Sequence, residues 1–81
     1  SMAREGRLEL VKSCLRQLAS RLDGRDTLSL VAFANGAREV LAPTSGDRRG
    51  EIAAAIDSLA ASGGTDVESG LVAGYQRAVQ S

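Results

Sequence analysis

The sequence predicts an α/β fold in the order helix, strand, strand, helix, helix, present as only part of a domain. Three observations predict it. Leu8, Val11, Leu15, Leu18 and Leu22 recur at steps of three and four, the stripe of an amphipathic helix. Residues 28–34, Leu-Ser-Leu-Val-Ala-Phe-Ala, are apolar on both alternating faces. Helical spacing then returns in Ile52, Ile56 and Leu59, and again in Val67, Leu71, Val72, Tyr75, Ala78 and Val79.

The first helix is predicted from about Arg4 to Leu22. Arg7, Lys12, Arg16 and Arg21 lie off its stripe and are expected on the solvated face. Gly24 stands where a C-terminal capping glycine belongs. Cys14 is expected as a small apolar side chain, buried or half buried in this helix. Residues 28–34 read as an internal strand, because an edge strand with one wet face would alternate polar residues with apolar ones. Asn35-Gly36 is a two-residue turn signal, so residues 37–42 return as the second arm of a hairpin. That arm is predicted to stop at Pro43, which has no N–H to give to a ladder.

The second helix follows the Thr44–Asp47 loop, with Ala53, Ala54, Ala55 and Ala60 adding helical propensity. Ser62-Gly63-Gly64 breaks it, and a third helix is predicted from Thr65 onward. Gly70 and Gly74, four apart, would let another backbone come close. One hairpin supplies residues 28–34 with only one neighbour, whereas an internal strand needs two. The missing neighbour marks the chain as incomplete, and a free edge along 28–34 is expected to drive self-association.

Composition narrows the chemistry. The 81 residues carry ten basic and ten acidic side chains, so no clustered positive surplus favours a nucleic-acid or anionic-membrane partner. Residues 1–40 hold seven basic against five acidic groups, an asymmetry too small to change this. With no His, an imidazole triad or metal site cannot form within the chain, and a single Cys allows neither an internal disulfide nor a thiolate zinc site. One Tyr, one Phe and no Trp leave little for stacking on bases. No apolar run approaches the length of a membrane span, and no signal peptide is read at the start.

The sharpest local feature is Ser62-Gly63-Gly64-Thr65-Asp66-Val67-Glu68. Thr65 and Glu68 have the spacing of a capping box, with the hydroxyl accepting from an amide and the carboxylate reaching back. The same loop could offer a hydroxyl and a carboxylate to a hard cation, or amides to an anion. The two readings are not exclusive, and spacing alone favours the capping box. Ser1-Met2, read alone, suits a tag remnant as well as native sequence.

Taken together, the pieces resemble the von Willebrand factor type A (VWA) family. Ser1-Met2 is similar to the end of that family's Asp-x-Ser-Gly-Ser-Met motif, and Arg7-Leu8-x-Leu10-Val11-Lys12 to the opening of its first helix. Residues 26–33 resemble its second strand and Val40-Leu41-Ala42-Pro43-Thr44 its short antiparallel third strand. Ile52 through Leu59 and Gly63-Gly64-Thr65-Asp66 resemble its second helix and metal-site threonine loop. The likeness continues through Gly70-Leu71-x-x-Gly74-Tyr75 and is nearest to bacterial members of the Ser-Gly-Ser-Met type.

The resemblance implies a Rossmann-like doubly wound sheet whose first central strand ends just before Ser1. The chain, residues 1–81, would then be under half of a domain of ~200 residues, lacking that strand and the C-terminal strands. It also implies a metal-ion-dependent adhesion site (MIDAS) at the sheet's C-terminal edge, where a Mg²⁺-type ion (or Mn²⁺ or Ca²⁺) accepts an Asp or Glu from a partner protein. By position, Ser1 would be a direct ligand, Thr65 the loop threonine, and Asp66 an outer neighbour or simply an acid in a first helical turn. The motif's leading Asp, its first serine and a later Asp have no counterpart here, so metal binding by this chain alone is expected to be weak or absent. The function expected is metal-dependent protein interaction without catalysis. The alternatives are an assembly module with a vestigial site, or an α/β enzyme piece whose Gly63-Gly64-Thr65 loop holds a phosphate, although neither G-x-x-x-x-G-K-[ST] nor G-x-G-x-x-G is present.

Overall fold

The computed structural model describes residues 2–34, 36–61 and 70–79. The order is α1 (Met2–Ser20), β1 (Asp26–Ala34), β2 (Gly36–Ser45), α2 (Arg49–Ala61) and β3 (Leu71–Arg77). The strands form one sheet in the order β2-β1-β3, antiparallel at both contacts.

Burial alternates along β1. Asp26, Leu28, Leu30 and Ala32 are buried, while Thr27, Ser29 and Val31 are partly open and Phe33 is exposed. The buried set joins Leu15 and Leu22 from the α1 side, Leu41 of β2, and Ile52, Ala55, Ile56 and Leu59 of α2 in one core. The helices thus cover one face of the sheet, giving two layers. The α2 contribution repeats at i, i+3, i+4 and i+7, the spacing that puts side chains on one face of a helix.

Three details of the elements differ from the sequence reading. On α1 the buried stripe includes Lys12, 4% exposed, whereas Val11 and Leu18 lie open on the flank. The helix is turned toward α2, where Arg16 pairs with Asp57 at 2.8 Å, and the buried Lys12 holds its ammonium 4.0 Å from Glu9. Cys14 falls on the opposite side and is exposed, not buried. Strand β2 continues through Pro43 to Ser45, because register shifts flank Leu30 and place Pro43 in an irregular stretch where no ladder donor is required. The hairpin itself is present, with Gly36 at φ 107°, a conformation that only glycine adopts without strain.

The larger correction concerns residues 71–77, predicted as helix and found as strand β3. They pair with β1 from Asp26↔Arg77 to Ala32↔Leu71. The neighbour that residues 28–34 require is therefore encoded within the chain, and the expected free edge of 28–34 is covered on both sides. Two glycines explain the outcome. Each costs a helix about 1 kcal/mol relative to Ala, while in the strand they serve close approach. The Gly70 carbonyl accepts the Phe33 N–H at 2.9 Å, and a Cβ on Gly74 would sit 2.5 Å from the Ser29 hydroxyl oxygen. The predicted capping box, Thr65 and Glu68, lies outside the described residues.

Candidate functional site

Ser1, Thr65 and Asp66, the metal ligands expected from the sequence, all lie outside the described residues. Along the chain, α1 begins at Met2, α2 ends at Ala61, and the description resumes at Gly70 ahead of β3.

Among the described residues, the densest polar arrangement joins the start of β1 to the end of β3. Asp26 is 2% exposed, yet its carboxylate is fully engaged. It accepts the Asp23 N–H at 2.9 Å and the Tyr75 hydroxyl at 2.9 Å, and it pairs with Arg77 Nε at 3.2 Å. The Asp26 carbonyl accepts from Gly46 N–H at 2.8 Å, tying the cluster to the end of β2. Asp23 is shared between Arg25 at 3.2 Å and Arg77 at 3.5 Å. These contacts convert a buried charge from a liability into a satisfied hub.

The electrostatics follow from the bonds. The hydrogen bond from Tyr75 to Asp26 pushes the phenol above its ordinary range, helped by partial desolvation and by the neighbouring anion. The Arg25 side chain, bonded to Asp23, holds that carboxyl below the usual range, and Arg25 is raised in return. Arg16 likewise lowers Asp57.

This cluster is built to hold, not to react. Every carboxylate in it already faces a guanidinium, a phenol or an amide. Asp47, at the neighbouring turn, accepts from the Ser45 hydroxyl at 2.7 Å. Such a set does not fit a divalent cation, which needs anionic oxygens not already neutralised by arginine. No group of three or more acidic or thiol side chains converges on a metal position among the described residues. Sequence reading passed over Asp26 and Tyr75. The signal was a charged residue opening an otherwise apolar strand, since a buried acid demands partners.

Two shallow concavities are lined by described residues. A cleft of about 170 Å³ between the helices is lined by Ala19, Ile52 and Ile56, with Arg16 and Arg49 at its rim. Arg49 donates to the Ala19 and Leu22 carbonyls at 3.3 and 3.0 Å, so it serves as a cap on the end of α1. On the open face of the sheet, Thr27, Ser29, Pro43, Gly74, Tyr75 and Gln76 line a hollow of about 250 Å³. No described helix is long and apolar enough to cross a membrane.

Comparison with known proteins agrees with the order of motifs along the chain. The family model of the von Willebrand factor type A domain matches residues 1–80. Uncharacterized protein YfbK of Escherichia coli (strain K12) is 40% identical over 80 residues, 99% of this chain and 14% of that protein. Uncharacterized protein sll0103 of Synechocystis sp. (strain ATCC 27184 / PCC 6803 / Kazusa) is 40% identical over 73 residues, 90% of this chain and 17% of that protein. The chain thus spans less than a fifth of the length of either relative. No solved structure matches significantly.

Proposed function

The chain belongs to the von Willebrand factor type A family, and from that premise we propose that it forms part of a metal-ion-dependent protein-interaction domain with no catalysis of its own. It would be of the Ser-Gly-Ser-Met type, within a doubly wound sheet completed by segments outside residues 1–81. The observation that carries this reading is the extent of the family match, which runs over residues 1–80 and so includes Ser1, Thr65 and Asp66. In this reading Ser1 and Thr65 offer hydroxyl oxygens to a Mg²⁺-type ion, Asp66 supports from the side, and the ion's open position takes an Asp or Glu of a partner protein. A hard cation in oxygen coordination supplies the attraction for that carboxylate.

Two neutral hydroxyls compete poorly with water for a divalent ion. Calorimetric titration of Mg²⁺ or Mn²⁺ into the 81-residue chain should therefore show no binding tighter than about millimolar. Micromolar affinity would overturn the view that the site is incomplete here. In the longer protein, Ser1→Ala and Thr65→Ala should each weaken Mn²⁺ binding about tenfold or more. Unchanged affinity in both variants would overturn the metal reading.

A further inference from the structure

We propose that residues 71–77 are a two-state element: strand β3 is the ground state, and it exchanges with an amphipathic helix that leaves the second edge of β1 uncovered. The segment carries the pattern of both forms. In helical geometry Leu71, Val72, Tyr75, Ala78 and Val79 fall within an arc of about 120°. Gly70, Ala73, Gly74 and Arg77 take the opposite side. Strand geometry divides the same apolar set. Successive residues alternate between faces, so Leu71 and Tyr75 lie on one face of the sheet and Val72 on the other. Little burial results, since Val72 is 54% and Tyr75 53% exposed.

What holds the strand is polar and local. At one end the Phe33 N–H donates to the Gly70 carbonyl at 2.9 Å, and at the other the Ala78 N–H donates to the Arg25 carbonyl at 2.8 Å. Asp26 accepts the Tyr75 hydroxyl at 2.9 Å and pairs with Arg77 at 3.2 Å, so one buried carboxylate anchors the end of β3. Between these pins Gly74 lies against Ser29, where a Cβ would stand 2.5 Å from the hydroxyl oxygen.

The two glycines set the balance. Each lowers the helix population about fivefold relative to Ala, and Gly74 also permits the close approach to β1. They keep a helix-patterned run in the strand. The core does not depend on that outcome, because none of its buried members comes from β3 and Leu71 only packs against it part buried. Residues 71–77 can therefore leave β1 without opening the layer between sheet and helices. The uncovered β1 edge would suit a sheet completed by segments outside residues 1–81, although the exchange itself does not rest on that reading.

The test compares amide hydrogen exchange in the 81-residue chain with that in Gly70→Ala and Gly74→Ala. The N–H groups of Ser29, Val31 and Phe33 point to β3, whereas that of Ala32 points to β2. Gly70 has no positive φ, and a Cβ there would stand 3.7 Å from Phe33 Cβ, an ordinary contact. Gly70→Ala thus adds helical propensity with no clash. Exchange at Ser29, Val31 and Phe33 should quicken about fivefold in this variant, with Ala32 and Ile56 unchanged. Detachment into coil predicts the reverse, because alanine in place of glycine removes entropy from the coil. Gly74→Ala adds the collision with Ser29 and should gain helical far-ultraviolet circular dichroism. Should Gly74→Ala fail to fold, Gly70→Ala alone decides. Unchanged or slower exchange at the three amides in Gly70→Ala would overturn the proposal. So would equal quickening at Ala32 and Ile56, or a folded Gly74→Ala chain with no added helical signal.

Discussion

Gly46 shows how little room the α1–β1 junction leaves. A Cβ there would stand 2.5 Å from Leu22 Cβ and 2.6 Å from the Asp23 carbonyl oxygen, a backbone atom that cannot swing aside. Gly46→Ala should therefore destabilise the chain by about 1–3 kcal/mol, read as a lower urea midpoint with an unchanged slope. An unaltered midpoint would mean that the junction is looser than its geometry. Tyr75 permits a second test at the same scale, because it is the only tyrosine and there is no tryptophan. Its phenol is raised above the ordinary value of about 10. A group whose folded value is raised contributes stability that is complete below the unfolded value and is lost as pH rises through the folded one. Alkaline titration followed by phenolate absorbance should thus show ionisation above pH ~10, with stability declining over the same window. Asp26→Asn should move the transition back toward the ordinary value, since the neighbouring anion is gone. Titration at the ordinary pH in the wild-type chain would contradict the Tyr75–Asp26 bond.

Among the elements, those whose apolar pattern matched one period were legible from sequence. Ile52, Ala55, Ile56 and Leu59 define α2. The run at 28–34, apolar except for Ser29, marks a strand internal to the sheet, and it is paired on both edges; the expectation that both of its faces are covered fails, since Phe33 is exposed and Ser29 and Val31 are partly open. The extent of β2 was less legible, because Pro43 ends a regular ladder but not one that shifts register around it. Segment 71–77 was misread for a physical reason. Leu71 and Tyr75 are four apart and fit a helix, yet the same short run fits a strand, and an unfilled edge on β1 is a tertiary demand that local spacing does not contain. The facing of α1 was misjudged in the same manner. Lys12 is charged, but its long stem lets it occupy a buried position that hydropathy assigns to Val11 or Leu18.

At the scale of the whole molecule, the family was legible from the order of short motifs, none decisive alone, and the match over residues 1–80 bears it out. A metal site was expected only through the resemblance. Its ligands would come from chain segments distant in sequence, and Ser1, Thr65 and Asp66 lie outside the described residues. What the structure adds is asymmetry between the two sides of its sheet. On one side the helices cover Leu28, Leu30 and Leu41; the other leaves Phe33 and Val72 exposed and Val31 partly open. Reporter dyes that brighten in oily surroundings, such as anilinonaphthalene sulfonate, should consequently glow with the native chain, before any heating. A dye-monitored melt of this protein would begin from a high baseline, and its apparent midpoint would mix detachment of dye from that greasy panel with true unfolding.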